Sequence, residues 1–239
     1  MVTEEELTRI KELRANGRSH QEIAEEIGIS RSSVAYQLNK LKKIPVPKQV
    51  NPGIVWTHFP KDMPPNPVAV KIVDAFKKNA DKVDSAIFGK GGSNQDKTKF
   101  DSNFVLDVIS SDLKDISGMV IEEKGKSDKT IPISVPILYG HCGKEEKTYE
   151  PDAWHESEGV LVEIEGAMKI TQNKVHIYDL FKACLIHNAE HFVIAAAKTW
   201  NSSAKTPYKP YDTIVTEFTA IYESRRFNLP LKSITVIGY

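Results

Sequence analysis

The sequence predicts a mixed α/β domain preceded by a small all-α domain. Three observations carry this: helical signals alone fill the first 44 residues, a proline-rich stretch follows, and beyond residue 100 amphipathic helical patterns alternate with short β-branched runs. A chain of 239 residues is long enough for one full domain and a small accessory one.

Bulk charge is uninformative, because 32 Lys and Arg balance 32 Asp and Glu, so any basic patch must be local. The acidic start, Met1-Val2-Thr3-Glu4-Glu5-Glu6, is unlike a leader peptide, and no segment is apolar for long enough to span a membrane. Cys142 and Cys184 are too few for a disulfide framework and lack the spacing of a zinc site. The expectation is a cytoplasmic protein with reduced thiols.

Three short helices are expected before residue 44. Leu7, Ile10 and Leu13 mark an apolar stripe that ends at Asn16-Gly17. Ser19 caps a second helix, with Glu22 completing a capping box. Gly28-Ile29 makes a tight turn, and Ser30 caps a third helix that buries Val34, Leu38 and Leu41. No acidic residue falls between Ile27 and Pro60, whereas Arg31, Lys40, Lys42, Lys43 and Lys48 are all cationic, so the local basic patch lies here.

The small Ala24 in the second helix, the turn at Gly28 and the apolar Ile29 and Val34 after it resemble the helix-turn-helix of DNA-binding proteins. That resemblance implies a third helix entering the major groove of double-stranded DNA, offering Ser30, Arg31, Ser32, Ser33, Tyr36, Gln37 and Lys40. Residues 1–44 are thus read as a DNA-binding domain, 45–67 as an extended proline-rich linker with a short strand near 53–58, and 68–239 as the larger domain.

In the larger domain, 68–84 reads as a helix on Val70, Val73 and Phe76, and 101–116 as another on Phe104, Val108 and Leu113. Between them Gly89-Lys90-Gly91-Gly92-Ser93 lacks the strand and the Lys-Ser/Thr ending of a phosphate-binding loop, so it reads as a mobile loop whose neighbours Lys90, Lys97 and Lys99 are free to touch phosphates. Strands are expected over 131–139, 148–155 and 160–166. A helix over about 171–189 follows, resting on Tyr178, Phe181 and Leu185, then a buried strand over 191–198. A helix over 213–226 and a strand over 233–238 end the chain, with Ile214, Phe218 and Ile221 inward.

The chemistry is concentrated in Tyr149-Glu150-Pro151-Asp152-Ala153-Trp154 and the run Val160-Leu161-Val162-Glu163-Ile164-Glu165. Period-two alternation puts Leu161, Glu163 and Glu165 on one face of a strand. A turn centred between Ser157 and Glu158 sets Asp152 opposite Glu163. Facing carboxylates repel, and a divalent cation removes the conflict.

The order αβββαβ across residues 101–198, with Pro151-Asp152 in one strand and Glu163 in the next, resembles the PD-(D/E)XK nuclease superfamily, which includes many restriction endonucleases. The resemblance implies a restriction-endonuclease-like mixed sheet and a type II restriction enzyme that cleaves double-stranded DNA as a homodimer. It implies Asp152 and Glu163 as ligands of Mg2+, with Mn2+ as a substitute. The family's lysine position holds Glu165 here. Lys169, four residues on, is the candidate to assist it, and Lys174 a weaker one. The competing reading is a helix-turn-helix transcription regulator whose larger domain senses a ligand or dimerises without catalysis. His187, Glu190 and His191 spell an inverted zinc-protease motif, but a strand starting at His191 would keep the two histidines off one helical face.

Overall fold

The computed structural model describes residues 6, 8–10, 13, 18, 20–30, 32–34, 53–88, 102–124, 130–200, 208–224 and 226–239. The chain divides into two compact units, Met1–Val50 and Asn51–Tyr239.

The small unit is built around α1 (His20–Ile27). Its core is Ile10, Leu13, Ile23, Ala24 and Val34, with Ile27 and Ile29 packed against it. Gly28 turns the chain with φ of +77°, and its N–H donates to the Ala24 carbonyl at 2.9 Å, as does that of Ile29 at 3.1 Å. Ser30 then caps the next helical turn, its Oγ accepting from the Ser33 N–H at 3.1 Å. The expected box partner Ser19 and the stripe residues Leu7, Leu38 and Leu41 lie outside the described residues.

The large unit is a six-stranded mixed sheet with helices on both faces. In chain order its elements are β1 (Val55–Phe59), α2 (Pro67–Lys78), α3 (Ala80–Val83), α4 (Ser85–Phe88), α5 (Ser102–Lys114) and β2 (Met119–Ile121). Two hairpins follow, β3 (Glu123–Lys124) with β4 (Thr130–Ile131), and β5 (Val135–Tyr139) with β6 (Glu145–Tyr149). The chain then returns to the sheet with β7 (Ala153–His155) and β8 (Val160–Glu165), crosses through α6 (Ala167–Asn173) and α7 (Val175–Leu185) to β9 (His191–Ala196), and closes with α8 (Pro210–Ser224) and β10 (Ser233–Gly238).

The sheet order is β1-β10-β9-β8-β7-β2. The three central strands β8, β9 and β10 run parallel, while β7, β2 and β1 pair antiparallel. Every residue of β8 and β10 is buried, as expected of strands covered on both faces. One face packs Val160, Val162, Ile164, Val193 and Ile237 under α2 and α5, whose buried residues include Ile72, Phe76, Val105 and Ile109. The other packs Leu161, Phe192, Ile194, Ile234 and Val236 under α7 and α8, with Leu180, Ala183, Ile214 and Phe218. Burying a side chain such as Phe192 contributes about 2–3 kcal/mol. Asn66 caps α2 by accepting from the Val68 and Ala69 N–H groups.

Several expectations need correction. The short strand expected near 53–58 forms as Val55–Phe59, but it is an edge strand of the main sheet, paired with β10, rather than part of a linker. The strand expected at 131–139 divides between β4, which ends at Ile131, and β5 (Val135–Tyr139), each in a separate hairpin outside the main sheet. The strand beside β7 in the main sheet is Met119–Ile121, three residues that give no periodic signal. In α5 the buried positions are Val105, Leu106, Ile109 and Leu113, whereas Phe104 is exposed. The helix read over 171–189 is two helices, divided at Lys174, whose φ is +54°. Its apolar stripe points outward: Tyr178, Phe181 and Leu185 are 66%, 61% and 55% exposed. The glycine-rich loop at 89–93 lies outside the described residues, as do Lys90, Lys97 and Lys99.

Cys142 and Cys184 are both free thiols. Among the described residues no helix is long and apolar enough to cross a membrane.

Candidate functional site

The β7–β8 hairpin sets the geometry. Ala153 pairs with Val162, Trp154 with Leu161 and His155 with Val160, so one step further Asp152 stands level with Glu163, the register expected from the sequence. The connection is the 3₁₀ turn Glu156–Glu158, ended by Gly159 in the left-handed region. Asp152 is held in place twice: its Oδ2 accepts from the Ile164 N–H at 2.5 Å and its carbonyl from the Glu122 N–H at 2.9 Å.

Glu163 and Glu165 share the face of β8 that carries Leu161. At the Leu161 end this face is apolar, but toward Glu165 the opposing surface is polar. It carries Lys169 from α6 and Asp179 and Lys182 from α7. Carboxylate oxygens of Glu163, Glu165 and Asp179 lie within 4.8 Å of one another. Lys169 Nζ is 3.3 Å from Glu165 Oε2, and Lys182 Nζ is 2.9 Å from Asp179 Oδ1. A cleft of about 440 Å³ opens here. Its walls hold Glu122, Glu150, Asp152, Glu163 and Glu165 against the two cations Lys169 and Lys182, so the cleft has a net negative charge that suits a cation.

Burial and crowding act on these acids in the same direction. Desolvation pushes the Asp152 carboxyl up to about 7, with Glu122 adding repulsion and the Ile164 N–H opposing. Burial, then Asp179, pushes Glu165 to about 7. Glu163 is raised well above the usual carboxylate range by burial, then by Asp152 and Asp179. Burial disfavours the Lys169 and Lys182 ammoniums, but neighbouring carboxylates, chiefly Glu165 and Asp179 respectively, leave both raised. Two oxygens in this group, Asp179 Oδ2 and Glu165 Oε2, are buried with no hydrogen-bond partner among the described residues, although Lys169 supplies charge near the second. Buried carboxylates that repel one another and leave oxygens unsatisfied fit a hard divalent cation.

A pH dependence follows. A carboxyl raised on folding binds its proton more tightly folded than unfolded, so its protonation favours the folded state at low pH. That contribution is lost as pH rises from the ordinary carboxylate range through about 7. His58, His176 and His191, each lowered by burial, act oppositely, but only below their ordinary value of 6.5. Metal-free protein should therefore lose Tm between pH 6.5 and 8 in thermal melts, and Glu165→Gln should flatten the slope. A wild-type Tm that is constant or rising over this interval would refute the assignment.

The structure thus gathers Asp152, Glu163, Glu165 and Lys169 in one cleft. Lys174 is elsewhere, paired with Glu217. Sequence reasoning missed Asp179, Lys182 and Glu122. The available signal for Asp179 was the smaller stripe His176, Asp179, Leu180 and Ala183, which is the buried face of α7. His187, Glu190 and His191 lie in a loop and at the start of β9, so no helix aligns the histidines.

In the small unit Ser30, Ser32 and Ser33 cluster at the start of the third helical segment, with the Ser30 hydroxyl 2.8 Å from those of Ser32 and Ser33. Arg31, Tyr36, Gln37 and Lys40 lie outside the described residues.

A family model for winged helix-turn-helix DNA-binding domains matches residues 10–44. This segment is a helix-turn-helix DNA-binding domain, which supports DNA as a partner. No curated protein and no solved structure matches the chain significantly.

Proposed function

We propose that the protein is a metal-dependent endonuclease that binds double-stranded DNA through residues 10–44 and hydrolyses it in the cleft of the large unit. The observation that carries this reading is the order α5, β2, β7, β8, α7, β9, an αβββαβ series with Asp152 and Glu163 abreast on adjacent strands and Glu165 beside them. The excursion through β3 to β6 is an insertion within that series. The PD-(D/E)XK resemblance supplies the reaction class, as analogy.

In this reading Asp152 and Glu163 hold a Mg2+ ion. Such an ion polarises a phosphoryl oxygen and lowers the pKa of a bound water. Glu165, with a proton affinity near neutrality, accepts the proton of the attacking water and becomes neutral, which frees the Lys169 ammonium beside it to stabilise the negative charge that develops on the attacked phosphate. Water attacks phosphorus, the bond to the leaving sugar oxygen breaks, that oxygen takes a proton from solvent water to become a hydroxyl, and a 5′ or 3′ phosphate end remains. A homodimer placing two such clefts on the two strands belongs to the same proposal, and light scattering on the purified protein tests it.

A regulator that binds DNA without cutting it is the second reading, favoured by one observation: the family match is confined to the DNA-binding segment. Incubation with plasmid and genomic DNA plus Mg2+ or Mn2+ separates the two. Discrete fragments are expected, and DNA that is retarded but intact under all metal conditions would overturn the nuclease. Arg31→Ala and Gln37→Ala should each weaken DNA binding, by about 1–3 kcal/mol for a residue reading a base edge. Unchanged affinity in gel-shift titrations would remove them from the interface.

A further inference from the structure

We propose that Asp179 of α7, together with Glu163 and Glu165 of β8, forms a second divalent-cation position that shares Glu163 with the Asp152 pair. This rests on the reading that the cleft takes a cation, and goes beyond it by adding a ligand from a helix outside the strand motif; with this position filled Glu165 serves as a ligand, and the proton of the attacking water passes to solvent rather than to Glu165.

Three features of the geometry point to it. The three carboxylates are buried and converge within 4.8 Å from two elements that pack face to face. The Asp179 side chain is fully buried, yet its Oδ2 has no hydrogen-bond partner among the described residues, an arrangement that is costly for a group with no bound ligand and more so when charged. The ligand set is all oxygen, which selects a hard cation such as Mg2+ or Mn2+ over zinc or copper.

Lys182 is the internal competitor. Its ammonium reaches Asp179 Oδ1 at 2.9 Å, but it also lies 5.9 Å from the centre of the Tyr149 ring and 5.8 Å from that of Tyr178. These aromatic faces retain the lysine when a metal ion takes Asp179. Lys182 thus offsets part of the carboxylate repulsion in the metal-free protein and yields to a divalent ion. Two ions sharing a carboxylate are the arrangement that stabilises both the attacking and the leaving oxygen in phosphodiester hydrolysis.

The test is Mn2+ titration of the full-length protein at pH 7.5, with free Mn2+ read by electron paramagnetic resonance and folding checked by circular dichroism. Wild type should bind two ions per chain. Asp179→Asn and Asp152→Asn should each bind one, and Glu163→Gln should lose both high-affinity positions. Lys182→Met, which keeps the aliphatic stem and removes the competing charge, should shift the Mn2+ Kd downward. This variant decides the matter if Asp179→Asn fails to fold. Loss of binding in Asp152→Asn with Asp179→Asn equal to wild type would overturn the second position and leave the nuclease reading intact. An unchanged or weaker Kd in Lys182→Met would also overturn it. Two ions in wild type, one in Asp179→Asn and no cleavage of any DNA would uphold the site and sink the nuclease. No Mn2+ binding by wild type would overturn both.

Discussion

Asp152→Asn and Glu163→Gln are expected to abolish Mg2+-dependent cleavage of DNA while leaving the affinity for DNA intact. Removing a group that merely orients a metal ligand typically costs 10–100-fold, so losing a ligand's charge should cost at least about 100-fold. The two substitutions are nearly isosteric, and Asn retains an oxygen able to accept from the Ile164 N–H, so the strand alignment survives. Stability should move the other way. Each variant removes one member of a buried group of mutually repelling carboxylates, so the Tm of the metal-free protein at pH 8 should stay level or rise. Quantified fragment yield against time, with thermal melts on the same preparations, checks both halves. Cleavage within tenfold of wild type would remove either residue from the metal site.

Gly159→Ala should be the most damaging small substitution in the β7–β8 hairpin. Gly159 has φ of +61°, a region that costs other L residues roughly 1–2 kcal/mol. A Cβ there would also stand 2.4 Å from the Asn188 carbonyl oxygen and 3.1 Å from the Glu190 nitrogen, both backbone atoms. The turn cannot retreat easily, because the Gly159 carbonyl accepts from the N–H groups of Glu190 and His191, each at 2.9 Å. Together these terms predict a loss of about 2–4 kcal/mol, a fall in Tm of roughly 5–15 °C for a domain of this size. Cleavage should fall with it, since the turn sets Asp152 level with Glu163. Gly159→Asn separates the two causes. Asn tolerates the left-handed region but meets the same carbonyl, so it should not rescue stability. A Tm within 2 °C of wild type for Gly159→Ala would refute the argument.

Legibility of the sequence followed how local each determinant is. The Ser30 cap and the turn at Gly28 are set by neighbours within a few residues, and the chain folds there as its chemistry directs. The Asp152 and Glu163 register was also readable, because a hairpin pairs residues symmetrically about its turn and the apolar alternation of 160–164 fixes the face. Non-local determinants were not readable. Met119–Ile121 is a strand only because β7 offers it a partner some thirty residues away, whereas the better β pattern at 135–139 pairs with β6 outside the sheet. On α7 the bulky stripe of Tyr178, Phe181 and Leu185 promises more burial than the stripe that is actually inward. Asp179 faces inward on the smaller stripe with His176, Leu180 and Ala183, and the carboxylates it meets there come from β8, which no local window of sequence contains. Lys182 and Asp179 thus look, in isolation, like an ordinary exposed i,i+3 pair on a helix.

The place of β10 bears on how the large unit assembles. The strand nearest the C-terminal end of the sequence lies between β9 and β1, the strand nearest the start of the unit, and pairs Val55 with Gly238. Until residues 233–238 are synthesised, β9 keeps an unpaired edge running from His191 to Ala196, with the apolar Phe192, Val193 and Ile194 beside it, and β1 has no ladder at all. Such an edge is a template for pairing with another chain, and closure across the full length of a domain is slow. Chains that lack residues 233–238 should therefore need a holding chaperone, while chains that contain them close their own edge.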